Sequence, residues 1–167
     1  MPKTADAEPN PEILVKNVMT VKVATARPSE PLSKAVNSMA SKNISCIIVV
    51  EGKKALGVVT ERDLIKKVLA KGKSTANLYV KDAMTSPMMS ISPDYDVITA
   101  GNIMRKNNIR RLAVTVGDEL KGIITETDIM SATIKYVKRL NWRLVDGQIT
   151  NKEYERILKD VKMLVNL

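Results

Sequence analysis

A chain of 167 residues that is 44% apolar can bury a core, and with 3% aromatics and no Phe that core must be Val, Ile, Leu and Met. No apolar run reaches the ~18 residues of a membrane-spanning helix. The absence of histidine and the single cysteine, Cys46, exclude a zinc constellation and an intramolecular disulfide. The net charge of +9 suits nucleic acid, a polyanionic ligand or simple solubility, and no long block of like charges marks a nucleic-acid arm.

The opening "MPKTADAEPNPEI" has no apolar centre and cannot be a secretory signal. Residues 1–14 are expected to form a mobile leader, and the lone cysteine points to a reducing, cytoplasmic setting. From residue 15 the chain repeats itself at an interval of 65. "VKNVMT" (15–20) lies over "VKDAMT" (80–85), Pro28 over Pro93, Ala35 over Ala100, Met39 over Met104, and "GVVTERD" (57–63) over "GIITETD" (122–128). Without gaps, 16 of the 50 positions from 15 to 64 are identical, far above chance.

Each copy reads in the same order. A short extended stretch follows "MT"; then Leu32, Ala35, Val36 and Met39, or Val97, Ala100, Ile103 and Met104, recur at helical spacing. The β-branched runs "ISCIIVV" (44–50) and "IRRLAVTV" (109–116) predict buried strands, each turning at a glycine into a second strand ending at Thr60 or Thr125. A further helix starts there, with Leu64, Ile65, Val68 and Leu69 as its expected apolar face in the first copy. The unit is β-α-β-β-α. The fold class is α/β (α+β), two repeats packed sheet to sheet because each alone would expose one face of its sheet.

The repeated Thr and Asp allow two readings. Thr60 with Asp63, and Thr125 with Asp128, have the spacing of a helix cap whose acid also suits the positive end of the helix dipole. The same geometry sets a hydroxyl and a carboxylate beside free backbone N–H groups, where a carboxylate can accept from both hydroxyls of a ribose. Arg110 and Arg111 likewise are either solvated strand-edge residues or forks for phosphate oxygens. Their counterparts Ser45 and Cys46 are uncharged, so the copies are not equivalent. No Walker-type loop, GxGxxG or GxSxG occurs, and nothing gives positive evidence for an enzyme.

With these motifs in place, the chain resembles a tandem pair of CBS domains (cystathionine-β-synthase-type repeats, together a Bateman module) over residues 15 to about 136. It departs from that family where Ile48 and Ala113 stand in place of a frequent proline. The resemblance implies a non-enzymatic sensor of adenosine-containing ligands: AMP, ADP, ATP or S-adenosylmethionine. It implies no further cofactor. In the family pattern each cleft is built across the repeats. One would combine Thr125 and Asp128 with Val23, Ala24 and Ile44; the other would combine Thr60 and Asp63 with Met88, Met89 and Ile109. The family's phosphate-binding position falls on Arg110 and Arg111. The resemblance also implies a homodimer that acts in trans on an effector protein. The alternative is a nucleic-acid or protein-interaction module with degenerate clefts.

Expected boundaries are 15–79 for the first repeat, 80–137 for the second and 138–167 for a C-terminal helical hairpin. "DGQ" marks its turn and "TNKE" (150–153) a capping box. Ile157, Leu158, Val161, Leu164 and Val165 form one apolar stripe, suited to self-packing or a dimer contact.

Overall fold

The β-branched runs form strands where expected. In the computed structural model, which describes residues 13–165, β1 (Thr25–Ala26) runs parallel to β2 (Cys46–Glu51). Strand β2 turns back into antiparallel β3 (Lys54–Thr60). The second copy repeats this 65 residues on, as β4 (Ser90–Ile91), β5 (Arg111–Val116) and β6 (Glu119–Thr125). Both hairpins turn on a left-handed residue, Gly52 at φ 59 and Gly117 at φ 55, which glycine adopts without steric cost. Residues 1–12 of the leader, Asn166 and Leu167 fall outside the described residues, as do the side chains of Leu164 and Val165; of the rest of the leader, Leu14 bridges Asp96 and Ile13 O accepts from Val97 N–H.

The six strands make one sheet in the order β1-β2-β3-β6-β5-β4, the same from either edge. At its centre Lys54 pairs with Glu119, flanked by ion pairs from Lys54 to Asp118 (3.0 Å) and Lys53 to Glu119 (3.2 Å). The repeats also exchange backbone hydrogen bonds. Thr20, of the first copy, bonds to Ile123 at 2.9 and 3.0 Å, and Thr85, of the second, bonds to Val58 at 2.8 and 3.0 Å.

Helix α1 (Leu32–Ser41) buries Leu32, Ala35 and Met39, the short α3 (Val80–Ala83) buries Val80 and Ala83, and α4 (Val97–Lys106), the match of α1, buries Val97, Ala100, Gly101 and Met104. Both run into an asparagine of positive φ, Asn43 (50°) and Asn108 (52°), a conformation Asn tolerates better than most residues.

The helix after Thr60 differs from the expectation. Only Glu61–Asp63 is α-helical (α2); Leu64–Val68 is a π turn and Leu69–Lys71 a 3₁₀ turn. Val68 is buried, but Ile65 and Leu69 are 58% and 65% exposed, so the expected four-residue apolar face does not turn inward as a whole. Their counterparts Met130 and Ile134, on the regular α5 (Glu126–Val145), are exposed as well. The outward setting therefore belongs to these positions in the fold and not to the π turn.

The chain divides into two compact units that interleave the repeats. One, Thr20–Ser92 with Leu112–Ile123, holds nearly all of the sheet, with Leu32, Ile47, Val49, Val59, Val68 and Val80 at its centre. The other comprises the described residues up to Met19, Pro93–Arg111 and the chain from Ile124. There, α5 and α6 (Asn151–Val165) pack through Tyr136, Leu140, Ile149 and Val161. The capping box that opens α6 forms as read, Thr150 N–H donating to Glu153 at 2.7 Å and Glu153 N–H to Thr150 Oγ1 at 3.2 Å.

Candidate functional site

Thr60 and Asp63 form a reciprocal cap. Asp63 N–H donates to Thr60 Oγ1 (3.1 Å), and Thr60 N–H (3.0 Å) and its hydroxyl both donate to Asp63 Oδ2. The second carboxylate oxygen is taken as well. Oδ1 accepts from Thr85 Oγ1 at 2.7 Å and faces the Lys67 ammonium at 2.9 Å. Burial alone raises the Asp63 carboxyl, but the bonds from Thr60, Lys67 and Thr85 outweigh it and hold its pKa below the ordinary value.

Lys67, which the sequence reading did not single out, ties this corner together. Its ammonium donates to the carbonyls of Ala83 (3.0 Å) and Met84 (2.9 Å) and to Thr85 Oγ1 (2.8 Å). Gly57 belongs to the same contact: a Cβ there would lie 2.7 Å from the Thr85 carbonyl, which only glycine admits. Gly57, Asp63 and Lys67 thus converge on the "MT" segment at 84–85. The signal available in the sequence was the i, i+4 spacing of Asp63 and Lys67.

Thr125 and Asp128 repeat the cap, with Thr125 N–H (2.9 Å) and its hydroxyl (2.7 Å) on Asp128 Oδ2, and Asp128 N–H on Thr125 Oγ1 at 3.3 Å. Here Oδ1 has no hydrogen-bond partner among the described residues. Position 132, the counterpart of Lys67, is alanine. The two corners share a backbone and differ in what is left to accept a donor.

The remaining candidates lie at, or just before, the starts of β1, β2, β4 and β5. Glu61 N–H donates to Ser45 O and Glu126 N–H to Arg110 O, both at 3.2 Å, so each helix start is tied to the start of its own copy's long strand. Ile44 and Ile109 are half-buried beside those ties. Arg110 is exposed; Arg111 is half-buried, and its Nη1 is buried with no hydrogen-bond partner among the described residues. Val23 and Ala24 are half-buried, as is Met88, whereas Met89 is 39% exposed. Ala24 O accepts from Ile48 N–H and Met89 O from Ala113 N–H, both at 3.0 Å. Proline at 48 or 113 would abolish these bonds, so the departure from the family pattern closes two backbone acceptors. No group of three or more potential metal ligands occurs among the described residues, and no helix among them is long and apolar enough to cross a membrane.

Comparison with known proteins bears on this geometry. The CBS domain family profile matches residues 15–70 and again 80–135. The CBS domain-containing protein YhcV of Bacillus subtilis is 30% identical over 143 residues, covering 86% of this chain and 97% of that protein. Inosine-5'-monophosphate dehydrogenase of Thermoplasma acidophilum is 33% identical over 71% of the chain, which spans only 22% of that enzyme. Among solved structures, a putative signal-transduction protein with CBS domains from Burkholderia ambifaria superposes with a TM-score of 0.65 at 28% identity, over 69% of this chain and 85% of that one. The CBS domain pair of protein MJ0100, solved with 5'-methylthioadenosine and S-adenosyl-L-methionine, superposes with a TM-score of 0.66 at 26% identity, over 73% and 96%.

Proposed function

From the premise that the chain belongs to the CBS-domain family and carries two copies of the domain, we propose that it is a regulatory module that binds an adenosine-containing ligand and signals to an effector protein in trans. The observation that carries this reading is the unspent Oδ1 of Asp128 beside a formed cap. A carboxylate oriented by two donors from Thr125, with its other oxygen open, has the form needed to accept a ribose hydroxyl. The Asp63 carboxylate has both oxygens engaged, so the Asp128 corner is the first to fill. The bound S-adenosyl-L-methionine and 5'-methylthioadenosine of the MJ0100 pair support the ligand class.

Arg111 extends the reading to phosphate. A buried guanidinium nitrogen without an acceptor is costly, and a phosphate oxygen would satisfy it. The ligand reading thus favours AMP, ADP or ATP where Arg111 takes part, and a neutral or sulfonium nucleoside where it does not. The module forms a homodimer in this proposal. Its support is the exposed apolar pair that each repeat presents, Ile65 with Leu69 and Met130 with Ile134.

The test is calorimetric titration with adenosine, AMP, ATP and S-adenosylmethionine, on the wild type and on Asp128→Ala and Arg111→Ala. Binding that Asp128→Ala removes supports the reading, and Arg111→Ala weakening AMP and ATP but not adenosine supports the phosphate contact. No heat with any ligand, or binding that Asp128→Ala leaves intact, overturns it.

A further inference from the structure

Beyond the cap, α5 borders a cavity of about 390 Å³ that carries a different chemistry. Ile13, Val18, Ala132 and the ring of Tyr136 make its apolar wall, and Asn17, Lys135 and Arg139 its polar rim. Its size falls within the range of small-molecule sites, which pair apolar walls with a few convergent polar groups.

The repeat explains why the space exists. Ala132 is the counterpart of Lys67, and Val18 the counterpart of Ala83, at the interval of 65. In the first copy the four-carbon stem of Lys67 runs across to the Ala83 carbonyl at 3.0 Å and fills the gap. In the second copy the side chain stops at a methyl group and the volume stays open.

The rim charge is unbalanced. Lys135 and Arg139 stand one turn apart, a spacing at which like charges repel by a few tenths of a kcal/mol. Among the described residues, neither has an ion-pair partner and no carboxylate lines the cavity. Arg139 is held over the Tyr136 ring, 5.5 Å from its centroid, which keeps the guanidinium at the rim. A cation pair of this kind, next to an apolar wall, is complementary to one ligand class.

We propose that this cavity binds a small organic carboxylate with an apolar body. The body lies against Ile13, Val18, Ala132 and Tyr136, and the carboxylate accepts from Lys135 and Arg139, with the Asn17 amide as a further donor. The proposal uses neither Asp128 nor Arg111 and does not depend on the nucleotide reading.

The test is a set of ¹H–¹⁵N correlation spectra of the full chain, titrated with sodium octanoate, octylamine or inorganic phosphate. Octanoate is expected to give saturable shifts at the amides of Asn17, Val18, Ala132 and Tyr136. Octylamine should give none, and phosphate, lacking the apolar body, should not saturate. Lys135→Gln with Arg139→Gln should weaken octanoate at least about tenfold, the loss of roughly one charge-assisted contact. Ala132→Lys, which places in the second copy the side chain of the first, should keep the folded spectrum and abolish the shifts. Octylamine acting like octanoate, or full octanoate binding by either variant, overturns the proposal. So does the absence of saturable shifts in the wild type. AMP titrated into the same samples reads the nucleotide proposal separately, since neither rim residue takes part in it.

Discussion

Asp63 and Lys67 face each other at 2.9 Å, one helical turn apart, and between them they hold the Ala83–Thr85 segment of the other repeat. The motif that looks like a ligand corner is, in the first copy, a tie between the two repeats. Asp63 is buried, so the pair acts away from full solvent screening.

Lys67→Met is therefore expected to destabilise the fold by about 1–3 kcal/mol, because three acceptors and a buried carboxylate oxygen lose a donor. Ala132→Ser, at the matching position of the second copy, should cost much less. Urea denaturation followed by circular dichroism separates the two; equal losses would show that Lys67 is not a tie.

Gly57→Ala should also destabilise, by about 1–3 kcal/mol, as overpacking does. The added Cβ meets backbone, the Thr85 carbonyl at 2.7 Å, and no side-chain rotation relieves it. Thermal unfolding checks this, and a midpoint within error of the wild type would refute the close approach.

Acid should weaken the protein through Asp63 and Asp96. In both, burial raises the pKa, but donated hydrogen bonds outweigh it and leave the folded value below 3.8: at Asp63 from Thr60, Lys67 and Thr85, at Asp96 from Thr99. A depressed folded pKa gives stability that is present above the unfolded value and is lost as pH falls through the folded one. Stability is expected to drop as pH is lowered from about 5 towards 2. Asp63→Asn should be less stable at neutral pH and fall less steeply in acid. An unchanged acid slope in that variant would remove Asp63 from the account.

Ile65→Glu with Met130→Glu should convert a dimer to a monomer, because both side chains are already exposed and the change costs the monomer little. Light scattering after size exclusion reads the mass directly. A wild type that is monomeric at high concentration would sink the dimer proposal outright.

The tandem organisation was legible from local pattern. Helical spacing at Leu32, Ala35 and Met39, β-branched runs at 46–51 and 111–116, and the Thr–Asp caps each follow from interactions within a few residues. Those interactions are present in any correctly folded copy, which is why a 65-residue repeat could be read as two like units. The capping box at Thr150 and Glu153 belongs to the same class.

The sequence by itself determined the repeat, the element order and the caps, since turn chemistry and side-chain periodicity are local. Only the tertiary structure decided what each cap has left to offer. Asp63 and Asp128 are preceded by the same Gly, Thr and Glu, yet Thr85 reaches Asp63 across 22 residues and Lys67 reaches the Ala83 carbonyl across 16. Hydrogen bonds over such separations depend on how the backbone returns, and no local pattern encodes that. For the same reason the cavity beside Ala132 and the bare Nη1 of Arg111 became visible only once the chain was folded.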